Sequence, residues 1–283
     1  MATFFNQATL SYSGGTVNSN ITTGEILEVL SATKTAVVDE YSQGTEVTYV
    51  VNIINAGSIA FNGLTLTDNL GAYSFGTETL VPLDYIGDSV KYFVNGVLQA
   101  APTVVSGPPL VISGITVPAE GNATLIYAAR VNNFAPPVDT GTIENIVVIN
   151  GGGVTEVTAS ETITARAEPL LNITKSLSPT TVAENGQLTY TFVIQNTGNT
   201  PAVATDNVVI TDNFDPILND ITVTYNGTVW TSPVNYTYDE TTGVFVTTEG
   251  SITVPAASYT QDPTTGNWLV NPGVATLTVT GTV

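Results

Sequence analysis

The sequence predicts an all-β protein: two tandem β-sandwiches preceded by a hairpin that belongs to neither. Three observations predict it. Thr, Val, Ile and Tyr alternate at strand length between Gly, Pro, Asn and Asp turns along the whole chain, and helix signals are almost absent. A length of 283 residues suits two domains of ordinary size, and 42% apolar residues can fill two cores without disulfides, which a chain with no cysteine cannot form. The third observation is an internal repeat whose copies differ at the two ends of the chain.

The first element is a hairpin over residues 1–28. FFNQATLSYSGGTVNSNITTGEI matches the later segment GTIENIVVINGGGVTEVTASETITA, with Asn6 falling on Asn145 and Gly14 on Gly153. Phe4, Ala8 and Leu10 then take the places of Ile143, Val147 and Ile149, one face of a strand by the period of two. Tyr12, Val17 and Ile21 complete the apolar content that this hairpin offers to a subunit interface.

The second element is a sandwich over residues 29–168, and the third is its copy over residues 169–283. SATKTAVVDEYSQGTEVTYVVNIINAG (Ser31 to Gly57) recurs as NITKSLSPTTVAENGQLTYTFVIQNTG (Asn172 to Gly198), and LTLTDNL (Leu64 to Leu70) recurs as VVITDNF (Val208 to Phe214). Later blocks, VNG/YNG, ITVPA and ATL, follow in the same order. Lys34 aligns with Lys175, Tyr49 with Tyr190 and Asn55 with Asn196, and the register drifts only between blocks, where loops take up insertions. The first copy continues past ATL into a hairpin that turns at Gly151, Gly152 and Gly153, whereas the second reaches Val283 without one.

A sandwich lacking its last hairpin leaves core side chains in water and one sheet edge unpaired. Burying five or six apolar side chains there is worth about 8–15 kcal/mol before ordering costs, at roughly 1.5–3 kcal/mol each. The front hairpin of another molecule fits the gap by β-strand addition, and because such a contact is heterologous, repetition gives an open head-to-tail homopolymer. The alternatives are a hairpin folded back onto its own second sandwich, which the short Glu25–Ala32 connection disfavours, or a frayed arm packed on nothing.

The pattern ITK…G…TYTFVIQNTGNTPA…VVITDNF, beginning at Ile173, resembles the conserved-repeat domain of unknown function found in tandem in bacterial surface proteins, and the first copy carries the same pattern. The resemblance covers nearly the whole chain. It implies immunoglobulin-like sandwiches, a cell-envelope or extracellular setting, and structural or adhesive use without catalysis. The chain departs from that family's layout in two ways: MATFFNQATL has neither the basic region nor the apolar block of an export signal, and the final hairpin stands in front. These departures favour a self-assembling filament on a cell or spore surface, pilus-like or of the endospore-appendage kind, over a wall-anchored adhesin.

Period-two counting puts Lys34 in phase with Leu30, Ala32 and Ala36, and Lys175 in phase with Leu171, Ile173 and Leu177. Asp68 and Asp212 are likewise in phase with apolar neighbours, and Asn145 and Asn6 share the inward faces of their strands. Each inward lysine therefore has an inward Asp and Asn, and buried charge is costly unless paired. One solution is a lysine–asparagine isopeptide bond, the chemistry of Gram-positive pilin sandwiches, which needs an uncharged amine and a protonated carboxyl to polarise the amide. It would join Lys34 to Asn145 within a subunit, assisted by Asp68, and Lys175 to Asn6 of the next subunit, assisted by Asp212. The other solution is a Lys–Asp salt bridge with the Asn hydrogen-bonded nearby, or polar tips that reach water at strand ends.

Composition narrows the function classes. Without histidine, triads of the Ser-His-Asp kind and most zinc catalysis are unavailable, and no pair of acids stands out as a glycosidase pair. A net charge of −19 with five basic residues speaks against nucleic acid and anionic membrane surfaces as partners. Apolar runs are of strand length, so no membrane insertion is expected. The Asp-rich turns NFDPILND and YDETTG lack EF-hand spacing, and no metal or cofactor is expected. PVNYTYDETTGVFV reads as a hairpin, with Trp230, Tyr236 and Tyr238 either in the core or on an exposed face able to bind sugar. The expectation is a non-enzymatic subunit whose partner is itself, with a tip, anchor or receptor left open. The alternative is a monomeric or anchored adhesin that binds a glycan or protein through its loops.

Overall fold

The computed structural model describes residues 2–26 and 28–283. Among these, the one regular helix is a single 3-10 turn at Ala204–Asp206; everything else regular is strand. The chain forms two compact units. One takes in the chain up to Asp39 with Gly44–Asn132 and Glu144–Ile163, and the other Glu40–Gln43, Asn133–Ile143 and Thr164–Val283.

The first unit is a sandwich of two sheets. One sheet runs Val97–Leu98, Lys91–Val94, Gly121–Val131, Glu46–Asn55, Leu30–Ala36, all antiparallel. In the other, Phe61–Asp68 lies between Leu110–Val117 and Thr142–Asn150, with Val157–Ala165 beyond. Each long strand buries alternate residues, as an antiparallel sheet with one wet face must. Val47, Tyr49, Val51 and Ile53 on one strand meet Ala123, Leu125, Tyr127 and Ala129 on the next in the core. The register slips between Ser113 and Ile115, where Gly114 takes a φ of 88° that a side chain would resist, and this bulge keeps Ile112 and Ile115 both inward.

The second unit repeats the first sheet as Leu171–Ser178, Gln187–Asn196, Gly273–Thr282, Asn219–Tyr225, Thr228–Val229. The aligned asparagines serve the same end in both units. Asn55 donates to the Ile59 and Pro118 carbonyls and accepts from the Gly57 N–H, and Asn196 does so with Thr200, Pro255 and Gly198. A buried amide with its donors and acceptor satisfied is a stable turn anchor.

Among the described residues, the facing sheet of this unit has three strands, Thr211–Asn213, Val244–Thr247 and Tyr236–Tyr238. Aromatic rings fill its core: Tyr190 stacks on Phe214 at 4.9 Å between centroids, and Tyr225 on Trp230 at 4.7 Å. Trp230 and Tyr236 are buried and Tyr238 half-buried, so of the two uses open to this hairpin, packing is the one realised.

Candidate functional site

In the first unit Lys34, Asp68 and Asn145 come from three strands and are all buried. Lys34 Nζ donates to Asp68 Oδ2 at 2.8 Å and sits 4.7 Å from the centroid of the Tyr49 ring. Asp68 Oδ2 also accepts from the Tyr127 hydroxyl, and Oδ1 accepts from the Leu70 N–H at 2.7 Å. Asp68 is thus engaged with Lys34 and Tyr127. The Asn145 amide lies beside the Tyr49 hydroxyl, but neither its oxygen and nitrogen nor that hydroxyl has a well-formed hydrogen bond. A buried polar group left unpaired costs about 1–3 kcal/mol, so this amide is the anomaly of the site.

Burial draws the Lys34 ammonium down from 10.5 to about 8, against the opposing pull of Asp68 and of the more weakly felt Glu161. Burial also pushes both the Tyr49 and the Tyr127 phenols up, and Asp68 acts in the same direction. Both tyrosines therefore remain hydroxyl donors while the lysine loses its proton more readily than a free one. The two phenols are functional groups that the sequence reading does not single out. Their signal is there, because Tyr49 aligns with Tyr190 and Tyr127 is in phase with the inward Ala123, Leu125 and Ala129.

In the second unit Lys175 and Asp212 also come together as an ion pair, with Lys175 Nζ 4.3 Å from the Tyr190 ring centroid. Their cover is different. The Lys175 and Asp212 side chains are 38% and 18% exposed, against 0% for both Lys34 and Asp68. Leu171 and Ile173, in the lysine's own phase, are 40% and 48% exposed. Thr211–Asn213 pairs with Val244–Thr247 on one edge; the edge that in the first unit carries Thr142–Asn150 carries no strand among the described residues. Val279 stands opposite Tyr190 as Tyr127 stands opposite Tyr49, so the phenol that serves Asp68 has no counterpart there.

Asn6, the third member expected for this second trio, lies in the front hairpin. Ala2–Asn6 pairs with Thr22–Ile26 and Thr9–Tyr12 with Gly15–Asn18, and Ser19 ties the junction by accepting from the Ala8 N–H at 3.0 Å. The hairpin is therefore a formed ribbon. From Thr3 to Glu25 every residue is exposed except the half-covered Gly24, and Phe4, Ala8, Leu10, Tyr12, Val17 and Ile21 are among those in water. The Phe4 ring lies over Gly24, its cross-strand partner, and leaves no room there for a side chain. Asn6 itself is exposed, paired across the ribbon with Thr22.

No protein-family model matches the chain, and a search of curated proteins finds no relative. Among solved structures, the chain is similar to the major pilin subunit BcpA of Bacillus cereus, at 13% identity over 96% of this chain and 73% of that one, with a TM-score of 0.35. The pilus backbone protein RrgB from Streptococcus pneumoniae is similar at 13% identity over 86% of this chain and 55% of that one, TM-score 0.34. The collagen-binding domain of a Staphylococcus aureus adhesin matches half of this chain at 14% identity, covering 99% of that domain, TM-score 0.32. At such values these likenesses carry no argument about function; the all-β, two-sandwich architecture stands on the strand pairing itself. No helix among the described residues is long and apolar enough to cross a membrane.

Proposed function

We propose that the chain is a structural, non-enzymatic subunit of an extracellular bacterial filament, assembled head to tail by insertion of the hairpin of residues 1–28 into the second sandwich of the next subunit. One observation carries this reading. The strand face around Lys175 and the edge of Thr211–Asn213 are open at the very positions that the first unit covers with a hairpin of matching sequence. In the first unit Val147 faces Asp68 and Ile149 faces Leu66. By the repeat, the incoming strand would set Ala8 opposite Asp212 and Leu10 opposite Ile210.

The short Glu25–Ala32 connection disfavours folding of the hairpin back onto its own second sandwich. An arm packed on nothing is what a frayed end looks like, and also what a donor looks like before it meets its acceptor. The ordered ribbon and the open acceptor edge favour the donor.

The same reading gives the trios a covalent use: Lys34 to Asn145 within each subunit, and Lys175 to Asn6 between subunits. The unsatisfied Asn145 amide and the lowered Lys34 support it. Passing one proton along the 2.8 Å Lys34–Asp68 hydrogen bond turns ammonium and carboxylate into amine and acid, the two forms the chemistry needs. Nζ then bonds to Cγ of the asparagine, the Cγ–Nδ2 bond breaks, and ammonia leaves.

Negative-stain microscopy of the purified chain, with intact mass after boiling in denaturant, tests both parts. Filaments, and a mass lower by one ammonia per internal bond, are expected. Dispersed particles at every concentration would overturn the filament, and unreduced mass would overturn the bond. A monomer that keeps a glycan or protein ligand after loss of residues 1–28 would return the adhesin reading.

A further inference from the structure

The two lysine sites share a lysine, a carboxylate and a tyrosine ring in different states of cover. Lys34 and Asp68 are sealed from water, whereas the Lys175 side chain is 38% exposed and that of Asp212 18%, although each lysine has a carboxylate and a tyrosine ring in contact. Among the described residues, what the first sandwich has and the second lacks is the pair of strands Thr142–Asn150 and Val157–Ala165. An ammonium in water holds its proton, and an amine hydrogen-bonded to water is a poor nucleophile. We infer that the incoming hairpin does two things at once: it brings the Asn6 amide and it excludes water from Lys175, so that ligation of neighbouring subunits waits for correct seating. This rests on the head-to-tail reading above.

The hairpin suits that double task. Its residue at the place of Glu161, the second acid felt by Lys34, is Thr22, so seating adds cover without adding a carboxylate that would hold the proton on Lys175. Val279 in place of Tyr127 leaves Asp212 without the phenol that donates to Asp68, so Asp212 has a free lone pair for the lysine's proton. The step then balances as in the first site. The Lys175 proton moves to Asp212, Nζ bonds to Cγ of the neighbour's Asn6, the Cγ–Nδ2 bond breaks, and Nδ2 leaves as ammonia with the one proton that Nζ gives up on becoming the amide nitrogen.

The consequence is an order of events. The internal bond forms as the first sandwich folds; the bond between subunits forms only in the assembled chain. A hairpin seated out of register would bring Asn6 to the wrong place and leave again, while one in register would be fixed.

Acylation with an amine-reactive acetyl ester, followed by peptide mass mapping, separates the possibilities in the full chain. Three forms are compared: wild type, Asn6→Ala, and Phe4→Ala/Leu10→Ala, whose changed side chains are exposed in the free subunit and belong to neither core. The docking-deficient double variant is expected to acetylate at Lys175 and to show no Lys175–Asn6 peptide. Wild-type filaments are expected to lose that label and to survive boiling as a ladder joined through Lys175 and Asn6. Asn6→Ala filaments are expected to lose the label and still fall apart into monomers. A Lys175–Asn6 link in dispersed chains would overturn the inference. So would wild-type filaments that boil down to monomers with free Lys175, although the filament reading would then survive. Failure of all three forms to assemble would overturn both.

Discussion

Truncating Phe4 and Leu10 together, in an Asn6→Ala background that keeps assembly reversible, addresses the hairpin most directly. In the free subunit these side chains are 52% and 65% exposed. Their counterparts in the first sandwich, Ile143 and Ile149, are 2% and 0% exposed, so seating by the same register would bury most of both. Full burial of an exposed aromatic or aliphatic side chain is worth roughly 1.5–3 kcal/mol, and a little over half of each remains to be covered, so the pair contributes about 2–3.5 kcal/mol to each joint. At about 1.4 kcal/mol per tenfold, the concentration needed for assembly should rise by a factor of roughly thirty to three hundred. Light scattering or pelleting against protein concentration reads that threshold. Thermal unfolding of the subunit should not move, because neither side chain packs into a core of its own chain. An unchanged threshold with unchanged unfolding would refute the reasoning, since the hairpin would then not be the joint.

Other consequences concern the first trio and the charge. Asp68→Ala removes the partner of a buried ammonium and the acceptor of Tyr127 and Leu70, and should destabilise the first sandwich by about 3–5 kcal/mol in chemical unfolding, with the ammonia loss abolished. In Asn145→Ala the Lys34 amine is free, and its folded value of about 8 lies below the unfolded 10.5. The unfolded chain then binds the extra proton between those values, so stability should rise with pH across that window, by on the order of 3 kcal/mol. The raised Tyr49 and Tyr127 phenols act oppositely above their unfolded value near 10, so the slope is read as the difference from Lys34→Met; a flat difference would contradict the buried free amine. With a net charge of −19, subunits repel one another, and assembly followed by light scattering should quicken as salt shortens the screening length from about 30 Å at 0.01 M to about 8 Å at 0.15 M. Slower assembly in salt would point to attraction between opposite patches instead.

Much of the site was legible because strands have a period of two. That period places Lys34 among Leu30, Ala32 and Ala36, and burial of Lys34 follows from it. It also places Lys175 among Leu171, Ile173 and Leu177, yet Leu171 and Ile173 are exposed and only Leu177 packs on the core, because phase gives the face a residue points from and not whether anything covers that face. The pairing of each lysine with its Asp was legible from their shared inward phase and is realised at both sites, but the further partner of Asp68 was not. Which groups meet across a sandwich depends on how the sheets are stacked. Tyr127 reaches Asp68 from a strand of the opposite sheet, a contact no local pattern encodes.

The sequence by itself determined the all-β class, the twofold repeat, and the match between the front hairpin and the segment that closes the first sandwich. These follow from side-chain periodicity and turn residues, which act over a few positions of chain. Only the tertiary structure decided that the apolar side chains of the hairpin stand in water, that Tyr127 meets Asp68, and that one lysine is dry while its twin is not. Those outcomes depend on removal of water by residues distant in the chain, and solvent exclusion is a property of packed surfaces, not of a sequence window.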